Sequence, residues 1–168
     1  MIENGIDIIL TEDAIKYSVE NPQIDFRPTR STKGSAGYDV RACIPFEVVI
    51  KVGECIKIPL GFRAYVGSLP YVGMPNTSVA ALALPRSGLG ARDGIVLGNL
   101  VGLIDPDYQE EWVCAIWNRN LNKPIVIEPG MRIAQCVFMP VFLPEFVDVE
   151  EFSSVSERIG GFGSTGVA

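Results

Sequence analysis

Asp105, Asp107 and Tyr108 crowd into the middle of the stretch GNLVGLIDPDYQEEW (98–112). An aspartate that ends an apolar run sits at the mouth of a strand, partly desolvated, and its carboxylate can take a proton from water there. Pro106 presets φ for a turn. The segment therefore reads as a hairpin, GNLVGLI out and WVCAIWN back, with the acids and the phenol in its loop. Tyr108 can lay its ring against a sugar. Aspartate is also an ordinary turn residue, so the segment alone leaves both readings open.

Four further stretches carry reactive side chains. LPRSGLGARDG (84–94) sets Arg86 beside Ser87 and Gly88. Ser87 can cap a short helix, or its hydroxyl and the N–H groups after it can hold a phosphate, with the forked guanidinium of Arg86 alongside. GSAGYDVRA (34–42) places Asp39 in a strand-like context. An aspartate there can organise a hydrated Mg²⁺ or pair with Arg41 or Arg132. In PGMRIAQCVF (129–138), Gln135 stands among apolar residues, placed to point inward and hydrogen-bond a ligand. The chain closes on SERIGGFGSTGVA (156–168), where glycines surround one aromatic residue, Phe162. That is either a frayed terminus or a lid that orders over a ligand bearing phosphates and a flat ring.

The chain contains no histidine, which excludes Ser-His-Asp and Cys-His nucleophilic systems. An acid or base here must be a carboxylate, Lys, Tyr or Cys. Cys43, Cys55, Cys114 and Cys136 form no C-x-x-C pair and lie in apolar runs, as buried free thiols do. A net charge of −6 argues against nonspecific nucleic-acid binding, which needs a basic footprint. The N-terminus has no basic region before its short apolar run, and no stretch has the length of a membrane span, so the expected setting is the cytoplasm.

The elements that must position these residues are short and β-like: IDIIL (6–10), FEVVIK (46–51), CIKIPLG (55–61), FRAYVG (62–67), WVCAIWN (112–118), PIVIEPG (124–130), RIAQCVFMPV (132–141) and EFVDVEEF (145–152). Glycine, proline, asparagine and aspartate bound them. This predicts an all-β barrel or sandwich in one domain over 1–168, with one short central helix at 87–94 capped by Ser87. Residues 11–36 and 67–77 read as irregular.

Together and in this order, AGYDVRA, PRSGLG, GNLVGLIDPDY, RIAQCVF and GGFGSTG resemble the homotrimeric deoxyuridine triphosphate nucleotidohydrolases, or dUTPases. The resemblance implies a jelly-roll-like β-barrel with a C-terminal arm over about 156–168, in a homotrimer with active sites shared between subunits. It implies hydrolysis of dUTP to dUMP and pyrophosphate, with Mg²⁺ as cofactor. Asp105 would be the general base. Tyr108 would pack on the deoxyribose and exclude a 2′-hydroxyl. Asn99 and the backbone around Leu103 and Ile104 would read the uracil edge. Arg86, Ser87, Gly88 and Gln135 would hold phosphates, and Asp39 would position waters of the metal. Phe162 would stack on uracil while Gly163, Ser164 and Thr165 close on the terminal phosphate and Arg158 reaches a phosphate.

The chain departs from the family pattern at three places. Arg158 stands one residue nearer Phe162 than usual. Glu110 replaces a glycine two residues after Tyr108, implying a changed turn. The stretch 67–77 is longer than expected, either a surface embellishment or a loop that binds a protein partner. A dCTP deaminase-related enzyme, or a regulatory binding protein on the same scaffold, are the alternatives.

Overall fold

The computed structural model describes residues 5–69 and 75–154. In chain order the elements are β1 (Asp7–Leu10), α1 (Glu12–Glu20), β2 (Tyr38–Arg41), β3 (Val48–Ile50), β4 (Cys55–Tyr65), β5 (Thr77–Pro85), β6 (Ile95–Leu97), β7 (Gly102–Ile104), β8 (Glu111–Asn118), β9 (Ile125–Ile127) and β10 (Arg132–Phe142). One sheet has the order β1-β4-β8-β6, a second β2-β10-β5-β7, and β3 pairs with β9. This is the all-β architecture expected from the strand-rich sequence, in the jelly-roll-like form that the resemblance implied.

Period-two alternation builds the core. In β8, Trp112, Cys114, Ile116 and Asn118 are buried while Val113 faces solvent. They meet Ile58, Leu60 and Phe62 of β4 on one side and Ala81, Ala134 and Cys136 of the second sheet on the other. Phe62 and Trp112 pack with ring centroids 5.1 Å apart. The runs 55–61 and 62–67 are one strand interrupted by a register shift between Pro59 and Arg63, not two strands. Gly61 makes this possible, because a left-handed backbone at a bulge suits glycine. Its φ is +77°, and a Cβ there would lie 2.8 Å from Cys43 and 2.9 Å from Ala14.

Several expectations are corrected. Residues 11–36 contain a helix, α1. Thr11 caps it by accepting from the Ala14 N–H at 3.3 Å. Glu12 and Asp13 sit in its first turn, where acidic side chains favour the helix N-terminus. The central segment is a π-helical turn, Leu89–Asp93, with Gly88 and not Ser87 at its N-cap and no side-chain cap bond. Gly88 and Gly90 are weak α-helix formers, and the turn closes on Gly94 at φ +78°. Residues 77–85, unread as a strand, form β5, and Val66–Ser68 is a 3₁₀ turn. Residues 145–152 form no strand: no neighbouring strand among the described residues offers a hydrogen-bond ladder, and Phe146, Val147, Val149 and Phe152 stay exposed.

The predicted hairpin also resolves differently. β7 pairs with β5, whereas β8 pairs with β4 and β6, so residues 105–110 cross from one sheet to the other. Gly102 permits the β5–β7 approach, since a Cβ there would meet that of Ala83 at 3.1 Å. Cys43, Cys114 and Cys136 are buried free thiols, but Cys55 opens β4 on its exposed phase. Burial pushes Cys43 up to about 11 and Cys114 and Cys136 up to about 12, which keeps them neutral. Among the described residues no helix is long and apolar enough to cross a membrane.

Asn118 is buried at the end of β8 and fully engaged. Its Nδ2 donates to the carbonyls of Ile50 at 3.0 Å and Lys123 at 3.1 Å, and its Oδ1 accepts from the Asn120 N–H at 2.9 Å. Asn118→Ala strands these three groups. It should lower stability by about 2–3 kcal/mol in urea unfolding; an unchanged midpoint would show that the clamp contributes nothing.

Candidate active site

The turn between β6 and β7 brings the first group together. Leu100 occupies its tip with φ +64°. That left-handed conformation costs a leucine about 1 kcal/mol or more. The Leu100 N–H reaches the Leu97 carbonyl at 3.0 Å, and the Val101 N–H reaches that of Asn99 at 2.7 Å. This sharp reversal puts Asn99 beside β7 and the segment after it. Asn99, Gly102, Leu103, Ile104, Asp105 and Tyr108 line a cavity of about 270 Å³ floored by Trp112 and its neighbours on β8. Five of the predicted site residues thus share one pocket: Asn99, Leu103, Ile104, Asp105 and Tyr108.

Beyond β7, the Tyr108 N–H bonds to the Asp105 carbonyl at 3.2 Å and closes a turn around Pro106. The Tyr108 hydroxyl donates to the Glu111 carbonyl at 3.1 Å, which fixes the ring against the pocket. Among described residues, only Asn76 and Leu100 combine a side chain with positive φ. Glu110 therefore takes the glycine position of the family pattern without strain. Asp105, expected to be partly desolvated, is exposed in the single chain. Its surroundings within one chain do not dry it.

The second group lies on β2, β10 and the end of β5. The Arg86 Nε donates to Asp39 Oδ1 at 2.8 Å, and Arg132 Nη1 donates to Asp39 Oδ2 at 3.1 Å. Arg86 Nη1 also reaches the Arg132 carbonyl at 3.2 Å. Asp39 thus pairs with two arginines at once, and Arg41 bonds instead to the Gly130 carbonyl at 2.8 Å. Burial, and then the neighbouring Arg132, hold the Arg41 guanidinium below its ordinary value. Three arginines around one carboxylate make a positive patch on an acidic chain. Gln135 Nε2 donates to the Pro85 carbonyl at 3.0 Å, which settles it beside Arg86. Ser87 and Gly88 are exposed next to this patch.

Arg132 is the residue that sequence reasoning placed only as a structural partner. The signal was available, because it opens the same RIAQ run as Gln135. Among the described residues, no group of three or more metal-ligating side chains occurs. Asp39 is a single carboxylate with both oxygens paired to arginines, so it could take part in holding a cation such as Mg²⁺ only if the ion brought most of its own ligands. Arg158, Phe162, Gly163, Ser164 and Thr165 lie outside the described residues, as do positions 70–74 of the 67–77 stretch.

The two groups are far apart within one chain. Gln135 stands opposite both Asp39 and Leu84, while Ile104 stands opposite Ala81. Three strand spacings and some four residues of rise separate Asp39 from Asp105, about 20 Å.

The dUTPase family model matches residues 26–166. The deoxyuridine 5′-triphosphate nucleotidohydrolase of Neisseria meningitidis serogroup C (strain 053442) is 50% identical over 142 residues, covering 84% of this chain and 89% of its own. That of Serratia proteamaculans (strain 568) is 49% identical over 155 residues, covering 90% and 96%. Among solved structures, a mutant dUTPase of Staphylococcus bacteriophage 80alpha with dUpNHpp superposes at a TM-score of 0.74, with 27% identity and coverage of 98% and 99%.

Gly88 tests the anion-binding character of the second group. It has ordinary helical φ, and a Cβ added there meets nothing within 4 Å. Gly88→Ala should therefore leave the thermal midpoint unchanged yet weaken binding of inorganic triphosphate measured by calorimetry. Equal affinity in both proteins would place the phosphates elsewhere.

Proposed function

The chain belongs to the dUTPase family, and from that premise we propose that Asp105 is the base with which it hydrolyses dUTP to dUMP and pyrophosphate. The observation that carries the reading is the pocket at β7, where Asn99, Leu103, Ile104, Asp105 and Tyr108 converge. β7 is an edge strand, and its backbone edge facing away from β5 has no partner strand among the described residues. Such an edge offers one N–H and one C=O in strand geometry. Uracil answers it with O4 and N3–H. Cytosine carries an amine in place of O4 and an acceptor at N3, and mismatches. A pocket fitted to uracil would exclude the 5-methyl of thymine, and Tyr108 is the residue assigned to exclude a 2′-hydroxyl.

In the reaction, Asp105 takes a proton from water as the water oxygen attacks the α-phosphorus. The bond from that phosphorus to the bridging oxygen breaks, and pyrophosphate leaves. Arg86, the hydroxyl of Ser87, the backbone of Gly88 and Gln135 hold the phosphates and meet the charge developing on them. Asp39 would hold Mg²⁺ through the ion's waters, and the bound ion would supply positive charge at the leaving pyrophosphate. Arg86 exchanges Asp39 for phosphate when substrate arrives. Phe162, Gly163, Ser164 and Thr165, with Arg158, are assigned to a closing arm on the strength of their sequence match, stacking on uracil and covering the terminal phosphate.

The site is completed between chains. A separation of about 20 Å between Asp39 and Asp105 exceeds what one nucleotide bridges at its α-phosphate with both groups engaged, and Asp105 stays wet in the single chain. A cyclic homotrimer brings the β7 pocket of one copy to the arginine patch of the next. The exposed apolar residues Phe142, Leu143, Phe146, Val147, Val149 and Phe152 supply surface for such an assembly. The net charge of −6 fits a small-molecule enzyme that engages neither nucleic acid nor membrane, and the free thiols fit a cytoplasmic setting. The 67–77 stretch, longer than the family pattern needs, is the surface assigned to a protein partner.

Pyrophosphate release, measured with dUTP, UTP, dCTP and dTTP with and without Mg²⁺, tests the reading. The protein should act on dUTP and require the metal. Asp105→Asn should bind dUpNHpp like the parent and lose about 10²-fold or more in kcat. Turnover within about tenfold of the parent would remove Asp105 from the role of base.

A further inference from the structure

Residues 105–110 cross between the sheets without a ladder of their own, yet they carry the base and the sugar-gating tyrosine. Two contacts from one neighbouring segment hold the loop at its shoulders. The Gly67 N–H donates to the Pro106 carbonyl at 2.8 Å, and Arg63 Nε donates to the Gln109 carbonyl at 2.7 Å. Arg63 Nη2 also lies 4.0 Å from Glu110 Oε1. Pro106 directly follows Asp105 and Gln109 directly follows Tyr108, so each bond anchors the loop one residue beyond a side chain that lines the pocket.

The register shift in β4 explains why Arg63 can do this. Pro59 faces Val113 and Arg63 faces Glu111, so β4 spends four residues where β8 spends two. The bulge aims the Arg63 side chain over the loop that precedes β8. Its ion pair with Glu110 is long and exposed on both sides and adds little. The short charge-assisted bond to a backbone carbonyl is the restraint. Gly67 is equally constrained, because a Cβ there would lie 2.7 Å from the Pro106 carbonyl oxygen.

We propose that Arg63 is a positioning residue: through Gln109, and together with Gly67, it holds the 105–110 loop so that Asp105 and Tyr108 keep their geometry toward substrate. The proposal rests on the roles given to those two residues above. It also accounts for Glu110 at a position where the family pattern has glycine, since the loop is fixed from outside and needs no special backbone conformation.

The test compares Arg63→Ala, Arg63→Lys and Gly67→Ala with the parent in kcat and KM for dUTP with Mg²⁺, in the preference for dUTP over UTP, and in amide hydrogen exchange over 104–111. Arg63→Ala should exchange faster in that segment, lose about tenfold or more in kcat with a smaller change in KM, and discriminate less against UTP. Gly67→Ala should move all three readouts in the same direction. Arg63→Lys keeps the charge but not the fixed Nε–H, and should resemble Arg63→Ala. Unchanged kcat and selectivity, a lysine variant that restores both, or a loss of activity with unaltered exchange would each overturn the proposal. If Asp105→Asn is inactive while Arg63→Ala is normal, only the positioning role fails. If Asp105→Asn keeps its turnover, the reading of the base fails instead.

Discussion

Ala83 lies opposite Gly102 and Ala81 opposite Ile104, and this short ladder decides where the reactive groups can be. It is tight at one pair, where a Cβ on Gly102 would lie 3.1 Å from that of Ala83. It leaves the far edge of β7 without a partner strand among the described residues. It also directs the chain out of the second sheet at Asp105, so that residues 105–110 must cross to β8 in the first sheet. The pocket, the exposure of Asp105 and its distance from the arginine patch all follow from that crossing.

Charge differs between the two ends of the same sheet. The β7 end carries carboxylates and a phenol. The β2–β10 end concentrates Arg41, Arg86 and Arg132 around Asp39. Burial, and then the nearby Arg132, keep the Arg41 guanidinium below its ordinary value. Asp39 compensates the patch in the empty chain by bonding Arg86 and Arg132 together.

Much of this was legible from residues close together in sequence. The strand runs at 112–118 and 132–141, the clustering of Asn99, Asp105 and Tyr108, and the placing of Arg86 beside Ser87 and Gly88 all rest on local pattern and short-range chemistry. What was not legible depends on which strand each element meets. GNLVGLI and WVCAIWN look like the arms of one hairpin because both alternate and a proline turn joins them, but packing sends them to different sheets. EFVDVEEF alternates like a strand and has no partner among the described residues. The Asp39–Arg132 pair was among the readings of the sequence, but the Asp39–Arg86 pair needs three neighbouring strands in register, which no short window reveals. Helix α1 was legible in principle from Thr11-Glu12-Asp13, a cap followed by acids, and was hidden by the polar, proline-containing stretch after it.

The central claim is that one catalytic site takes Asp105 from one chain and Arg86 from another. Complementation measures this directly. Asp105→Asn and Arg86→Gln chains, each inactive alone, are unfolded together in equal amounts, refolded, and assayed for pyrophosphate release from dUTP. In a cyclic trimer assembled at random, every mixed trimer regains one intact site, and activity should return to about a quarter of the parent's. If both residues serve a site within the same chain, no mixture contains an intact site. Activity that stays at the level of the separate variants, in a sample shown to contain mixed trimers, would contradict the account.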